Sequence, residues 1–203
     1  GCEAVGARLA GNSGFPFVDT HGFSAEFVAA ENGLCACEDP AKPLPDTEGR
    51  PVLECLCGRV LRGQIDPEMP CGTRNGSFWT NSTTELLATM PQSTRHVDVR
   101  CRCCREGYES LVLVPVRYSG KPLGLMLFCD RRKGQFNEAF LSFVERVAST
   151  LAAALEQRSA REALEASEHR FRSLFENMRE GYAHCRMIFV DGKPVDFEYL
   201  GTN

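Results

Sequence analysis

The sequence lacks the signatures of several function classes. It contains no run of eighteen apolar residues, so no segment matches a membrane-spanning helix. It has no glycine-rich phosphate loop, no Gly-x-Ser-x-Gly turn and no His-Glu-x-x-His pair, so no common motif supports catalysis. The net charge of -4, without one long basic run, gives no electrostatic case for nucleic acid. We therefore expect no enzyme, no membrane span and no nucleic-acid partner within these residues.

Cysteine, in contrast, is abundant. The 203 residues contain 11 cysteines, an odd number, and many of them stand as Cys-x-Cys or Cys-Cys. This arrangement suits reduced thiols or metal ligands better than a framework of spaced disulfide bonds. We therefore expect a cytoplasmic location, with membrane attachment elsewhere in a longer protein left open. The start at Gly1, without an initiator Met, is typical of an excerpt.

A long helix-forming stretch dominates the second half of the chain. Residues 137–178 contain no Gly or Pro, and Ala, Leu, Glu and Arg predominate. Asn137 is a suitable N-cap, and a continuous helix would be about 60 Å long. The alternative is two helices joined near Ser159 or Ser167. Apolar residues recur at helical spacing at Phe140, Phe143, Val144, Val147, Leu151, Ala154, Leu155, Leu164, Phe171, Leu174, Phe175 and Met178.

The remaining elements read as a mixture of strands and short helices. The strongest strand signals are residues 108–118 and 122–130, which flank Ser119-Gly120-Lys121 as a hairpin turn. Residues 182–190 and 195–200 form a second hairpin pattern around Asp191-Gly192. Two further strands are predicted at 2–9 and 15–20, and a loop is predicted at 35–51. Short helices are predicted at 24–31, 52–61 and 80–90, and Leu86 and Leu87 are expected to be buried in the last of these. The fold class is therefore α+β.

Several stretches, in this order, resemble a GAF domain, the small-molecule-sensing module of bacterial signalling proteins. They are ECLCGRVLRG, GSFWTNSTTELLA and GYESLVLVPVRYSGKPLGLMLFCDRRKGQF, followed by the long helix. The resemblance implies an antiparallel sheet with flanking helices and a ligand held between the sheet and the elements that cover one face.

The end of the chain is similar to the start of a PAS domain. The segment is EHRFRSLFENMREGYAHCRMIFVDGKPVDFEYLGTN. The two resemblances together predict a GAF sensory domain at 1–156, a helical linker at 157–178 and a truncated PAS domain at 179–203. A sensor histidine kinase of a two-component system is the commonest context for such a pair. The expected partners are a small-molecule ligand, a second copy of the chain through a coiled-coil linker helix, and a downstream output domain.

A ligand site is implied by the GAF resemblance. The segment 76–81 supports it independently, because it combines a turn, two adjacent aromatic residues and groups that form hydrogen bonds. The alternative is that Trp79 packs in the core while Ser77, Thr80 and Asn81 cap the next helix. The resemblance places the ligand against Cys57, Phe78, Trp79, Thr80, Asn81, Cys103, Tyr108 and Ser110.

The cysteines support a competing hypothesis, a redox or metal-sensing module. Cys35, Cys55, Cys57 and Cys103 would suit zinc or an iron-sulfur cluster if they converge. Within a regular helix, however, Cys55 and Cys57 would point about 200° apart and could not share one metal. Cations around Cys101, Cys103 and Cys104 would lower the pKa of those thiols and favour redox sensing. Plain packing of small apolar side chains is the third interpretation of these cysteines.

Histidine adds one further cofactor alternative. His96 with a nearby cysteine could ligate haem, although its spacing does not demand it. The sequence therefore predicts a ligand-binding sensory segment that relays its signal through the linker helix. Its alternatives are the cysteine-based sensor for zinc, iron-sulfur, haem or redox state, and a ligand-free dimerisation spacer.

Overall fold

A computed structural model describes residues 1–11, 14–34, 55–89, 102–176, 181 and 183–202. The chain divides into two compact units, Gly1–Leu155 and Glu156–Asn203. Each unit is described by itself below. The predicted loop at 35–51 lies outside the described residues.

An antiparallel sheet of five strands forms the centre of the first unit. In chain order the strands are β1 (Ala4–Leu9), β2 (Phe17–His21), β3 (Phe78–Thr80), β4 (Ser110–Tyr118) and β5 (Lys121–Asp130). Their order in the sheet is β2-β1-β5-β4-β3, so β5 and β4 are internal and β3 is an edge strand. The predicted α+β class is confirmed.

The β4–β5 hairpin follows directly from its turn residues. Ser119 has φ 47° and Gly120 has φ 81°, a pair of left-handed residues typical of the two-residue turn that matches the twist of the strands. Tyr118 pairs with Lys121, so the predicted turn is one residue shorter than expected. Residues 110–116 of β4 are all buried, since helices cover both faces of the sheet.

Five helices lie within the described residues, and the last is the longest. They are α1 (Ala25–Glu31), α2 (Cys55–Arg62), α3 (Thr83–Thr89), α4 (Arg102–Arg105) and α5 (Glu138–Glu176). The Oδ1 atom of Asn137 accepts a hydrogen bond from the Phe140 amide at 2.9 Å, which confirms the predicted N-cap of α5. This helix is continuous over 39 residues, so the alternative of two helices joined near Ser159 or Ser167 is wrong.

The first half of α5 covers one face of the sheet. Leu141, Val144, Ala148 and Ala152 are buried in one apolar cluster with Val112, Val114, Val116 and Phe128. Their spacing of three or four residues is that of one helix face. Two members of the predicted apolar pattern do not lie on this buried face: Phe143 is 54% exposed and Val147 is 38% exposed. The helix therefore carries apolar residues on its buried face and on an exposed one.

Two arginines on the sheet donate hydrogen bonds to backbone carbonyls at the C-terminal ends of short helices. Arg8 of β1 donates hydrogen bonds to the carbonyls of Glu31 and Asn32, where α1 ends. Arg117 of β4 donates to the carbonyls of Val60 and Leu61 in the last turn of α2. The last carbonyls of a helix have no partners within it and carry partial negative charge, so a cation there is stabilising.

The second unit contains the remainder of α5 and a two-stranded hairpin. Its strands are β6 (Ala183–Val190) and β7 (Lys193–Thr202), joined at Asp191, which has φ 49°. The predicted hairpin is therefore present, with β7 starting two residues earlier than expected. No helix among the described residues combines the length and apolar character needed to cross a membrane.

Acid should weaken the first unit through one buried carboxylate. Asp130 is 0% exposed and accepts hydrogen bonds from the Arg132 side chain at 2.8 and 3.0 Å and from the amides of Arg132 and Glu3. The hydrogen bonds from Arg132 lower the pKa of Asp130 from 3.8 to about 2. A carboxyl whose pKa is lower in the folded state stabilises the fold above its unfolded pKa and loses that contribution as pH falls towards the folded pKa.

We therefore expect protonation of Asp130 alone to lower the free energy of unfolding by about 1–2 kcal/mol between pH 5 and pH 2. The effect is limited to this size because the Arg132 side chain is exposed, so solvent screens its ion pair with Asp130. Urea unfolding of the wild type and of Asp130→Asn across this pH range measures the contribution. The variant should be less stable at pH 7, and the gap should close in acid. Parallel curves would show that Asp130 does not titrate in this way.

Candidate functional site

The two adjacent aromatic residues of the predicted site point to opposite faces of the sheet. Phe78 and Trp79 belong to β3, where successive side chains alternate. Phe78 is 2% exposed and packs with α2, while Trp79 packs against the cluster that includes α5. One pocket therefore cannot be lined equally by both rings.

A cavity of about 500 Å³ lies beside the edge strand β3. Its volume falls in the range of small-molecule sites. Its walls combine apolar groups such as Met69, Trp79 and Leu86 with polar groups such as Asn81 and Lys133. The full lining is Met69, Pro70, Cys71, Trp79, Thr80, Asn81, Ser82, Glu85, Leu86, Thr89 and Lys133.

Opposite charges face each other at this cavity. The Lys133 ammonium lies 3.3 Å from a carboxylate oxygen of Glu85, and both side chains are more than half exposed. Exposed pairs of this kind contribute little to stability, so both groups can be recruited by a ligand at small cost. Leu86 and Leu87 were expected to be buried but are half-buried, because α3 lies at the margin of the sheet.

Asn81 connects the cavity to the start of α5. Its Nδ2 atom donates to the Phe136 carbonyl at 2.7 Å, and its Oδ1 atom accepts from the Phe136 amide at 3.0 Å. The Asn81 carbonyl also accepts a hydrogen bond from the Gly134 amide at 3.1 Å. Phe136 precedes the N-cap Asn137, and its ring stacks on Phe140 with centroids 5.0 Å apart. The side chain that lines the cavity thus fixes the first turn of the long helix.

The hydroxyl groups near Asn81 have structural roles. Ser82, rather than Ser77, Thr80 or Asn81, caps α3, because its Oγ atom accepts from the Glu85 amide at 3.2 Å. The carboxylate of Glu109 accepts hydrogen bonds from Ser82 and Thr84 at the same helix end. The hydrogen bond from the Thr84 side chain is the main reason that the pKa of Glu109 is lowered.

The predicted ligand residues divide into two groups. Trp79, Thr80 and Asn81 lie together at the cavity. Cys57, Phe78, Cys103 and Tyr108 are instead buried in the core, each at most 6% exposed, and the Ser110 hydroxyl donates to the Arg132 carbonyl at 2.7 Å. Lys133 and Leu86 line the cavity and were missed. Their signal in the sequence was weak, because a lysine after a strand and a leucine in a helix have many ordinary explanations.

A second cluster consists of thiols on the face of the sheet that packs with α1 and α2. Cys55, Cys57, Cys103 and Cys129 are all buried and unbridged. Cys55 begins α2 with a left-handed φ of 78°, so the regular helix on which the 200° separation of Cys55 and Cys57 depends does not include Cys55.

The interaction between Cys55 and Cys57 shifts the pKa values of the two thiols in opposite directions. Donation from the Cys57 thiol, together with the amides of Cys57 and Leu56, lowers the pKa of Cys55 to about 7, although burial opposes the change. The pKa of Cys57 is raised well above its usual value, first by the same hydrogen bond and then by burial.

The predicted reactivity of the 101–104 loop is wrong for the two cysteines that the structure describes there. Cys103 points inward, and a hydrogen bond with Cys129 and burial raise its pKa well above the usual value, so the neighbouring arginines do not activate it. Cys104 is disulfide-bonded, whereas the sequence pattern favours reduced thiols or metal ligands over a framework of spaced disulfide bonds. Cys101 lies outside the described residues.

The predicted metal ligands are only partly described. Cys35 and His96 lie outside the described residues. Within the described ranges, no three His, Cys, Asp or Glu side chains are grouped so as to hold a metal ion. The zinc, iron-sulfur and haem interpretations gain no support from Cys55, Cys57 and Cys103.

Comparison with solved structures finds similar folds at low sequence identity. A domain attributed to a two-component sensor histidine kinase of Sinorhizobium meliloti 1021 is 14% identical, with a TM-score of 0.49, over 81% of this chain and 86% of that chain. The GAF domain of an Acinetobacter phosphoenolpyruvate-protein phosphotransferase is 17% identical, with a TM-score of 0.47, over 78% and 74%. The blue-light absorbing form of the Thermosynechococcus elongatus PixJ GAF domain is 14% identical, with a TM-score of 0.49, over 83% of each chain.

Comparison with curated protein sequences finds no match. The family model described as a GAF domain, however, matches residues 32–156, which is more than half of the chain. This match includes β3 and α3, which line the cavity, and α2, β4, β5 and the first half of α5, which pack in the core of the first unit. The chain therefore belongs to the GAF domain family.

Proposed function

We propose that the first unit is the ligand-sensing domain of a signal-transduction protein and that α5 carries its output. The observation that supports this proposal best is the double hydrogen bond between Asn81, in the wall of the cavity, and the backbone of Phe136, at the start of α5. Other GAF domains hold small molecules between the sheet and the elements covering it, which agrees with a cavity beside β3.

The cavity suits a compact molecule that is partly apolar and carries both a hydrogen-bond donor and an acceptor. Trp79 and Leu86 offer apolar contacts, while the Asn81 amide, the Lys133 ammonium and the Glu85 carboxylate offer polar ones. A ligand with a carboxylate would pair with Lys133 and release Glu85, whose side chain is 76% exposed. Such a mixture of apolar walls and a few polar groups fixes the orientation of a ligand.

The signal would pass through contacts that the structure describes. A ligand that competes for the Asn81 amide alters the hydrogen bonds to Phe136, whose ring stacks on Phe140, and Phe140 in turn makes an edge contact with Phe128 of the sheet. A ligand shifts such an equilibrium only by its difference in affinity for the two states, and a difference of about 1–3 kcal/mol is typical of allosteric coupling.

We also propose that α5 pairs with α5 of a second copy of the chain. Phe143, Leu164 and Phe171 are all more than half exposed and are separated by multiples of seven residues, the repeat of a coiled-coil seam. In a parallel pair of α5 helices, the altered hydrogen bonds at Asn81 would shift one helix against the other, and this shift would act on the domain that follows the helix. A PAS domain that begins with the β6–β7 hairpin and a histidine kinase as the output domain complete the proposed arrangement.

Trp79 provides a direct test, because it is the only tryptophan in the sequence and lines the cavity. We expect a metabolite that binds there to change the intrinsic fluorescence and to raise the melting temperature together. Replacing Leu86 with Ala should weaken binding by about 5- to 30-fold, equivalent to about 1–2 kcal/mol of lost apolar contact.

Leu87→Ala is the matched control, since Leu87 lies on the same helix but not in the lining of the cavity. Its affinity should match that of the wild type. Trp79→Phe is the control for the fluorescence measurement, since any change that a metabolite causes in this variant does not arise from the tryptophan at the cavity. If a broad metabolite library changes neither the fluorescence nor the melting temperature, the spacer hypothesis replaces the ligand-sensing one.

A further inference from the structure

A second, smaller cavity lies between the turn that precedes β3, the end of β4 and the first half of α5. Its volume is about 180 Å³, and it shares no lining residue with the cavity beside β3. Asn75 and Ser149 are exposed, so the cavity opens to solvent beside them. Ser77, Val114 and Pro115 are buried and form its inner wall. The full lining is Asn75, Ser77, Val114, Pro115, Arg117, Glu145 and Ser149, and most of these residues are polar.

The Ser77 hydroxyl in this cavity is a buried polar group without a partner. Ser77 is 0% exposed, and its backbone is fully paired, since its amide donates to the Thr73 hydroxyl at 3.1 Å and its carbonyl accepts from the Thr73 amide at 3.0 Å. Its Oγ atom, in contrast, forms no hydrogen bond among the described residues. Leaving a buried hydroxyl unpaired is costly, so this group favours a partner inside the cavity.

Arg117 adds a second donor without a partner. Its Nη2 atom donates to the carbonyls of Val60 and Leu61, which holds the guanidinium in place. Its Nε atom is buried and has no hydrogen-bond partner within the part of the chain that the structure describes. An N–H group of a guanidinium forms its strongest hydrogen bonds with a negatively charged oxygen. The two unpaired donors of the cavity, Ser77 Oγ and Arg117 Nε, therefore both favour an oxygen acceptor with negative charge.

Glu145 of α5 brings the opposite charge to the same cavity. Its carboxylate accepts hydrogen bonds from the Thr73 hydroxyl at 2.7 Å and from the Asn75 side-chain amide at 2.5 Å, which fixes it against the turn before β3. A carboxylate can accept about four hydrogen bonds, so Glu145 retains capacity for a donor in the cavity. A ligand with only a negative charge would be repelled by Glu145, and one with only a positive charge would be repelled by Arg117.

We infer that this cavity is a second binding site and that its ligand is a small zwitterion, an amino acid with a side chain no larger than that of alanine or serine. The ligand carboxylate accepts hydrogen bonds from Arg117 Nε and from the Ser77 hydroxyl, and the ligand ammonium group donates to the Glu145 carboxylate. The volume of the cavity equals that of about six water molecules, at about 30 Å³ each in the liquid, and therefore excludes longer side chains.

The Nε–H group of Arg117 reports directly on occupancy of the cavity. In ¹H–¹⁵N NMR spectra of the ¹⁵N-labelled 203-residue chain at pH 7, its signal is assigned by its absence from Arg117→Lys. We expect glycine and L-alanine to shift this signal and that of the Ser77 amide in a saturable way, whereas L-leucine, which exceeds the cavity, shifts neither. Acetate and methylamine each carry one of the two charges and should bind at least about tenfold more weakly than glycine.

Two variants connect binding to the named side chains. Ser77→Ala removes a hydroxyl that has no partner among the described residues, so the variant should fold normally and bind glycine about tenfold more weakly. Glu145→Gln should also weaken glycine binding about tenfold, yet it should strengthen acetate binding, because the repulsion between two negative charges is removed. Glu138→Gln is the matched control, since it makes the same change on α5 outside the lining of the cavity and should bind both compounds as the wild type does.

The contrary outcomes are distinct. If no amino acid shifts the Arg117 signal, the cavity holds water only and the inference is wrong. The inference also fails if acetate binds more tightly than glycine, or if Ser77→Ala and Glu145→Gln bind glycine as the wild type does, because the ligand then occupies another site. None of these results bears on the proposed ligand-sensing function, which depends on the separate cavity beside β3 and is measured by Trp79 fluorescence.

Discussion

Replacing Gly22 with Ala is expected to destabilise the first unit by about 3–4 kcal/mol, a large effect for the addition of one methyl group. Gly22 has φ 78°, a conformation that costs other residues about 1–2 kcal/mol. A Cβ atom at this position would lie 2.0 Å from the Glu3 carbonyl oxygen and 2.9 Å from the Ala4 Cα atom. These are backbone atoms at the start of β1, which is hydrogen-bonded to β2 and β5 and cannot move away freely.

Gly120→Ala separates the two components of this cost. Gly120 has nearly the same backbone conformation, φ 81°, but a Cβ atom there would have no neighbour within 4 Å. It should therefore lose only the conformational part, about 1 kcal/mol. Urea unfolding of the two variants measures the difference. Equal losses at both positions would show that the β1 backbone yields to the new methyl group.

The fold follows largely from local patterns in the sequence. Residues 137–178 lack helix breakers, and the structure has one helix from Glu138 to Glu176. Ser119-Gly120 and Asp191-Gly192 are turn pairs that can adopt left-handed conformations, so both hairpins were predictable. The packing of α5 was harder to predict, because apolar residues occur on two of its faces and only contact with the sheet selects Leu141 and Val144 over Phe143 and Val147.

The site was less predictable because it depends on one short strand. Residues 76–81 look like a turn in the sequence, yet Phe78–Thr80 pair with Leu111–Leu113 as β3. Pairing of this kind joins residues more than thirty positions apart, and local propensity does not determine it. Once β3 is known, alternation requires Phe78 and Trp79 to separate.

Buried polar groups were the least visible feature. Nothing in the sequence around Arg8 distinguishes a fully buried arginine from an exposed one at the margin of a strand. Its position is explained only by the carbonyls at the end of α1, which fold next to it. The same holds for Cys55, whose left-handed φ of 78° at the start of α2 is not encoded in the pattern of apolar residues.

The second large effect is expected for Asn81→Leu. The variant keeps a side chain of similar size but removes both hydrogen bonds to Phe136, so one amide and one carbonyl next to the start of α5 lose their partners. We expect a loss of about 2–4 kcal/mol in the free energy of unfolding. Hydrogen exchange should locate the loss, since the amides of residues 136–144 should exchange faster while those of β1 and β5 follow only the global change.

Coupling can be separated from binding with a second cavity variant. Thr89 also lines the cavity, but among the described residues its hydroxyl donates only to carbonyls of its own helix, Glu85 and Leu86. With a compound that changes Trp79 fluorescence present at saturation, Thr89→Val should still show a changed exchange rate for the amides of residues 136–144, whereas Asn81→Leu should bind the compound without that change. If both variants transmit the change equally, then the signal does not pass through Asn81, and the output must leave the cavity by another route, such as the contact of Trp79 with the cluster beneath α5.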